Sequence, residues 1–360
     1  METTESANQT VSIFDLLKIA MGVKASDLQI TVGVPPVMKV RGELQYIGDT
    51  KLWAIDTERL VQELFSNDAA WHEFQKIGDS DFSISVPGLG RFRVNAFVQR
   101  GSVAAAIRLV LTELPDPKEL LIPQSVLDMH KHNKGLILVT GPTGSGKSTT
   151  LSCLIDLINS NRNCHILTLE EPIEYLHRHK NSVVNQREIG QDTLSYARAL
   201  RSALRESPDV ILVGEMRDLE TISIAMTAAE TGHLVLSTLH TLGASKTIDR
   251  IIDVFPPNQQ QQIRIQLSTV LQAVVSQQLL PSPERGRAAA FEIMEANNAI
   301  RNLIREGKTY QIDSVIHMSK GEGMQSMDVS IAELYKNGLI TYEDALLHAL
   351  NQEVITKYMA

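Results

Sequence analysis

Hydrophobic positions follow two regimes along the chain, with a change near residue 112. Ahead of it, Ile13, Phe14, Leu16, Leu17 and Met21 recur at helical spacing and predict an amphipathic helix ending near Gly22. Short runs over 28–32, 38–41, 82–86, 91–97 and 104–110 read as strands. They are separated by Gly-Val-Pro-Pro, Pro-Gly-Leu-Gly and Gln-Arg-Gly turns. This pattern predicts an antiparallel sheet with one or two helices packed on it, an α+β module over residues 1–111. The Pro-bearing stretch Thr112-Glu-Leu-Pro-Asp-Pro-Lys118 breaks the pattern and marks residues 112–120 as the interdomain linker, stiff along its length and able to hinge at its ends.

From residue 121 strands alternate with helices. Strands are expected at 135–140, 165–169, 210–213 and 233–238, and helices at 148–160, 193–206 and 218–230. Short apolar strands joined by helical crossovers imply an α/β unit, a parallel sheet covered on both faces. From Gly243 onward the chain reads as mostly helical, with a glutamine-rich turn at Asn258 to Gln262. No repeat is visible, and no apolar run approaches the length needed to span a bilayer.

Composition narrows the function classes. A length of 360 residues suits two domains, and 43% hydrophobic with 21% charged residues excludes wholesale disorder. The net charge of -8 repels nucleic acid and anionic membrane, so no nucleic-acid partner is expected. Cys153 and Cys164 each sit in an apolar run, as small hydrophobes in a reducing compartment do, and two cysteines cannot supply a four-ligand zinc site. The start METTESANQTVS lacks the basic-then-apolar layout of a signal peptide, which points to the cytoplasm.

The strongest chemical signal is Gly141-Pro142-Thr143-Gly144-Ser145-Gly146-Lys147-Ser148, which fits GxxxxGK(S/T) between a predicted strand and a predicted helix. The glycines allow backbone N–H groups and the helix N-terminus to wrap around phosphates. Lys147 would face the β/γ oxygens of ATP, and the Ser148 hydroxyl, followed by Thr149, would ligate Mg2+. A random match in a chain of this length has a probability on the order of one per cent.

Acidic residues and a histidine end the neighbouring strands. Strand 210–213 leads through Gly214 to Glu215, placed to polarise the attacking water, with Met216-Arg217-Asp218 next to orient it. Gly214 stands where an Asp is usual before such a Glu, so a metal would lean on Ser148, waters and another acid. Strand 165–169 ends in Glu170-Glu-Pro-Ile-Glu174, at the sheet edge where open α/β sheets bind ligands. Glu170 is a metal candidate there, with Glu174 beside it. Strand 233–238 closes at His240 and is preceded by Thr231-Gly-His233. A histidine at that edge could sense the γ-phosphate and relay its state. Each histidine alone would more readily be read as structural.

These motifs in this order resemble the secretion and type IV pilus ATPase superfamily, whose Walker A, Asp box, Walker B and His box correspond to residues 141–149, 168–175, 208–218 and 231–241. Ala25-Ser-Asp-Leu-Gln29 and Gly33-Val-Pro-Pro36 are similar to that family's N-terminal signature, although Gln29 replaces the usual histidine. Glu170-Glu171-Pro172 stands where the family has Glu-Asp-Pro. Ala299-Ile-Arg-Asn-Leu-Ile-Arg-Glu306 resembles the signature of the retraction branch, and the tetracysteine zinc module of pilus-assembly members has no ligands here. By periodicity alone that segment is an ordinary amphipathic helix.

The resemblance implies a PAS-like N-terminal domain followed, over 121–360, by a RecA-like ATPase domain with a helical C-terminal region. It implies a homo-hexamer docked at the cytoplasmic side of the inner membrane, a membrane-embedded pilus platform protein as partner, and other pilus ATPases beside it. It also implies that Arg93 and Arg108 contact the γ-phosphate, although both equally suit surface ion pairs. Arg201 and Arg205 are weaker candidates. The function implied is Mg-ATP-driven pilus retraction. The alternatives are an assembly or secretion ATPase of the same superfamily, an accessory retraction motor, and a RecA-like nucleic-acid translocase, which the acidic charge disfavours.

Overall fold

The computed structural model describes residues 11–40, 42–110 and 114–359. Arg41, expected to end a strand, Thr112 and Glu113 of the expected linker and the polar residues 1–10 lie outside the described residues. The chain divides into two compact units, one reaching Thr112 and the other starting at Glu113.

The smaller unit contains α1 (Ile13–Gly22), β1 (Asp27–Ile30), β2 (Val37–Val40), β3 (Glu43–Tyr46), α2 (Ala54–Gln62), α3 (Asp68–Ile77), β4 (Asp79–Val86), β5 (Gly90–Gln99) and β6 (Ser102–Leu109). Ser12 starts α1 through a capping box: its hydroxyl accepts from the Asp15 N–H while the Asp15 carboxylate accepts from the Ser12 N–H. The sheet is antiparallel with order β3-β2-β1-β6-β5-β4. Alternation along β5 buries Phe92, Val94 and Ala96 against Trp71 and Phe74 of α3, which leaves Arg93 and Asn95 on the other face. The α+β reading of this unit holds, with β3, α2 and α3 added to the elements the pattern had marked.

The larger unit is an α/β core. It runs α4 (Gln124–Asp128), β7 (Gly135–Thr140), α5 (Lys147–Asn161), β8 (His165–Glu170), β9 (Val183–Glu188), α6 (Tyr196–Ala203), β10 (Val210–Val213), α7 (Leu219–Glu230) and β11 (Leu234–Leu239). Then follow α8 (Ala244–Asp253), α9 (Pro257–Val270), β12 (Leu271–Ser282), β13 (Gly286–Glu295), α10 (Asn298–Glu306), α11 (Ile312–Met318), α12 (Met327–Lys336), α13 (Tyr342–His348) and α14 (Gln352–Met359). The sheet order is β13-β12-β7-β11-β10-β8-β9, parallel except where β13 folds back on β12.

Both faces of this sheet are covered. Leu136 and Leu138 of β7 join the core under α6 to α11, while Ile137 and Val139 join the opposite core under α4 and α5. Each such fully buried side chain contributes about 1.5–3 kcal/mol over an exposed one. Among the described residues no helix is long and apolar enough to cross a membrane.

Three expectations are corrected. The stretch after Gly243 is not mostly helical throughout, because β12 and β13 form a long hairpin there. Its Leu-Gln-Ala-Val-Val-Ser-Gln-Gln-Leu-Leu run is buried on both faces and so lacks the two-residue alternation that marks a half-buried strand. The glutamine-rich segment 258–262 is the first part of α9 rather than a turn, with Pro257 at the helix start and glutamine a good helix former. The helix expected over 193–206 is confined to α6, capped by Ser195, whose hydroxyl accepts from the Arg198 N–H.

The register of β12 on β7 shifts once. Leu271 lies opposite Leu136 and Ala273 opposite Ile137, so Gln272 has no partner on β7. Gln272 is held from α10: its side-chain oxygen accepts from Arg301 at 3.2 Å, and the same guanidinium donates to the carbonyls of Ser268 and Thr269 at 2.7 and 2.9 Å.

Gly214 has a steric reason to lack a side chain. Its N–H donates to the Leu169 carbonyl at 2.7 Å, tying the end of β10 to β8. A Cβ there would lie 2.8 Å from the Tyr196 hydroxyl and 3.2 Å from the Leu169 oxygen. Gly214→Ala should therefore lower the unfolding free energy by about 1–3 kcal/mol. Tyr196→Phe, which removes the nearest atom, should recover part of that loss in the double variant. Urea unfolding of the wild type, both single variants and the double variant checks both expectations.

Candidate active site

β7 is buried at every position, and the chain leaves it at Thr140 directly into the glycine loop that feeds α5. Gly141 and Gly146 sit at φ of +142° and +89°, in the region that favours glycine, and both are packed from behind. A Cβ on Gly141 would overlap the carbonyl of Gln277 on β12, and one on Gly146 would lie 2.9 Å from the Gln277 side-chain nitrogen. The loop is thus pressed against β12, with its outer residues Pro142, Thr143 and Gly144 exposed.

Lys147 is buried, and its ammonium donates to the Gly141 and Pro142 carbonyls at 2.9 and 3.0 Å. Burial lowers its pKa, opposed by the carboxylates of Glu215 and Glu174, which lie within its electrostatic reach. The Ser145 hydroxyl is buried with no hydrogen-bond partner. Ser148 and Thr149 are half-buried at the start of α5, and the Thr149 hydroxyl contacts the Tyr175 hydroxyl at 3.2 Å, linking α5 to the segment after β8.

Parallel neighbours β11 and β10 deliver the next groups to the same edge. The His240 Nε2 lies 3.2 Å from one Glu215 oxygen, and the Arg217 guanidinium lies 2.7 Å from the other. The His240 Nδ1 lies 3.3 Å from the Thr143 hydroxyl in the glycine loop. A neutral ring that donates from Nε2 to Glu215 would accept from Thr143 at Nδ1, so loop, histidine and carboxylate form one chain of contacts. Burial alone would raise the Glu215 pKa; the Arg217 hydrogen bond and the adjacent His240 outweigh it, and the net shift is downward. Asp218 does not orient Glu215. It caps α7, accepting from the Thr221 N–H and hydroxyl, both at 2.9 Å.

Glu170 emerges at the same edge but faces sideways. It accepts from the Thr168 hydroxyl at 2.6 Å and from Gln186 of β9 at 3.2 Å, and burial pushes its pKa up to about 7. Gln186 and Glu188 of β9 also hold the Asp-box segment, donating to the Tyr175 carbonyl and accepting from the Ile173 N–H. β9 escaped the sequence reading because its Val-Val-Asn-Gln-Arg-Glu run is polar and sits at the sheet edge. In the structure Val184 is buried between exposed Val183 and Asn185, and Glu188 is buried at the strand's end, a pattern that the residue types do not announce.

His233 precedes the first residue of β11, whereas His240 follows the last, so the two are separated by the strand's length of roughly 20 Å. The His233 ring contacts the Ala228 carbonyl at 2.9 Å, at the end of α7, away from its own phosphate loop. In the smaller unit Arg93 pairs with Asp81 and Arg108 with Asp27, each at 3.0 Å, and the two arginines face each other across β5 and β6. Arg201 pairs with Glu220 of α7, and Arg205 is exposed beyond the end of α6.

Comparison with known proteins gives this edge a context. Residues 108–283 match the family model described as Type II/IV secretion system protein. The chain is 47% identical over 335 residues to the Type IV pilus retractation ATPase PilT of Pseudomonas aeruginosa, covering 93% of this chain and 97% of that one. It is 47% identical to a twitching motility protein of Neisseria gonorrhoeae, with 92% and 90% of the two chains covered. A crystal structure of the pilus retraction motor PilT with bound ADP superposes at a TM-score of 0.89 with 48% identity, covering 96% of this chain and 99% of that one. This chain is an ATPase of the type II/IV secretion system family, and it belongs there with the type IV pilus retraction motors.

Proposed function

We propose that this chain is a homo-hexameric, Mg-ATP-driven motor that retracts type IV pili from the cytoplasmic side of the inner membrane. The observation that carries this reading is the 47% identity, over 93% of the chain, to a protein named for pilus retraction. In the proposed cycle ATP binds along residues 141–149, with loop N–H groups and Lys147 on its phosphates. Glu215, kept ionised by Arg217 and His240, accepts a proton from the attacking water. His240 touches both Thr143 and Glu215, which supports its role as the reporter of γ-phosphate. Glu174 adds negative charge near Lys147.

The donor set suits magnesium. Ser148 offers a half-buried hydroxyl beside Lys147, and Glu170 is the candidate carboxylate. Among the described residues no group of three or more His, Cys, Asp or Glu could hold a metal by itself. An ion that arrives on phosphates with its own waters needs no such cage. When bound it neutralises charge on the β/γ oxygens.

In a ring, the smaller unit would close on nucleotide and bring Arg93 and Arg108 to the γ-phosphate. Hydrolysis would release them, and the unit would swing about residues 112–118. His233, at the opposite end of β11, is better suited to packing than to chemistry. Successive closures would turn a membrane-embedded platform protein and withdraw pilin subunits.

Glu215→Gln should reduce ATP turnover by at least about 100-fold while ATP stays bound. Phosphate release and nucleotide retention on the purified protein measure this, and near-normal turnover would assign the base elsewhere. In living cells lacking the gene, labelled pili should extend but fail to retract, and wild-type protein but not Glu215→Gln should restore retraction. Absence of pili altogether would make this an assembly motor instead.

A further inference from the structure

β12 runs parallel to β7 with Ser276 opposite Thr140, so its next residue, Gln277, stands beside Gly141 where the phosphate loop begins. Gln277 is only 3% exposed, and an amide that deep requires a partner. Its side-chain oxygen accepts a 2.8 Å hydrogen bond from the Thr150 hydroxyl in the first turn of α5. Its side-chain nitrogen occupies the space behind Gly146, and its backbone carbonyl occupies the space behind Gly141. The first glycine of the loop, its last glycine and the helix it feeds therefore all rest on one residue of a neighbouring strand.

This contact has a local competitor. A threonine hydroxyl inside a helix turns readily onto the carbonyl four residues back, a bond that bends the helix. For Thr150 that carbonyl belongs to Gly146, which already accepts the Thr150 N–H at 3.0 Å. Gln277 draws the hydroxyl away from this alternative and keeps the first turn straight where loop N–H groups must converge on phosphate. Donors fixed before the ligand arrives spare it the ordering cost on binding.

We propose that Gln277 is a positioning residue for nucleotide: without touching ATP, it holds the phosphate loop and the first turn of α5 in binding geometry through Thr150. The inference rests on assigning residues 141–149 to the nucleotide, and Lys147→Ala serves as the control for that assignment.

The test is ADP affinity by calorimetry on the full chain, together with KM, kcat and melting temperature. The variants are Gln277→Leu, which is similar in size but has no acceptor, Thr150→Val, their double variant and Thr150→Ser. Gln277→Leu and Thr150→Val should each weaken ADP binding and raise KM for ATP by roughly three- to tenfold, with kcat close to the wild-type value. The double variant should be no worse than either single one, and Thr150→Ser, which keeps the hydroxyl, should restore tight binding. Unchanged ADP affinity with only a lower melting temperature would reduce Gln277 to core filler, and fully additive losses would show that the two side chains act separately. Should Gln277→Leu fail to fold, Thr150→Val against Thr150→Ser decides alone. If Lys147→Ala bound ADP like the wild type, the site assignment would fail instead. ADP affinity is read without hydrolysis, so a base other than Glu215 leaves the result intact.

Discussion

A strand buried on both faces has no room for chemistry along its length, so β7, β10 and β11, buried at every position, can act only where they end. Because they run parallel, those ends lie side by side. The phosphate loop, Glu215 and His240 meet there without any loop long enough to wander. Buried hydroxyls hold the ends level: Ser237 donates to the Val213 carbonyl at 2.7 Å and Thr238 to that of Gly214 at 2.6 Å. The hydrophobic sheet is thus what gives the polar edge its precision.

Two carboxylates at that edge show how environment divides their roles. Glu215 has a guanidinium on one oxygen and an imidazole beside the other, and stays readily ionised although its side chain is only 16% exposed. Glu170, a strand away, has a hydroxyl and an amide but no cation, and burial lifts it to about 7. The first setting keeps a carboxylate ionised at neutral pH and so open to a proton, whereas the second leaves it partly protonated there. Tyr196, set among Glu170, Glu171 and Glu215, has its phenol pushed upward by burial and by those charges, so it stays neutral beside them.

What could be read from the sequence follows the range of each interaction. The glycine loop was legible because its requirements are local, one strand before it and one helix after. The convergence of Glu170, Glu215 and His240 was legible because parallel strands share an edge. His233 lies outside that convergence because the six residues of β11 separate it from His240. β9 was hidden by its polar edge residues and β12 by its burial on both faces. Gln277 was illegible for a further reason: its partner Thr150 is 127 residues away, and nothing in either neighbourhood names the other.

The unpaired Gln272 has a consequence beyond its own contacts. Ahead of it Leu271 belongs to the core on the α8 side; after it Ala273 belongs to the core on the α5 side, as consecutive residues of an unbroken strand would, so the ladder passes over the extra residue and keeps its faces. Downstream, Ser276 reaches the Gly243 N–H at 2.9 Å on one side while Gln277 reaches Thr150 on the other. Residue 272 is therefore free of the ladder on β7, and its side chain serves as a handle for Arg301. Without this residue Leu271 would still face Leu136 and Ala273 would still face Ile137, so Gln277 would keep its place beside the phosphate loop, and what would be lost is the hold of Arg301 on the strand. Arg301 of α10 grips this handle, so the helix bearing the Ala299–Glu306 segment is fastened to the same strand that carries Gln277.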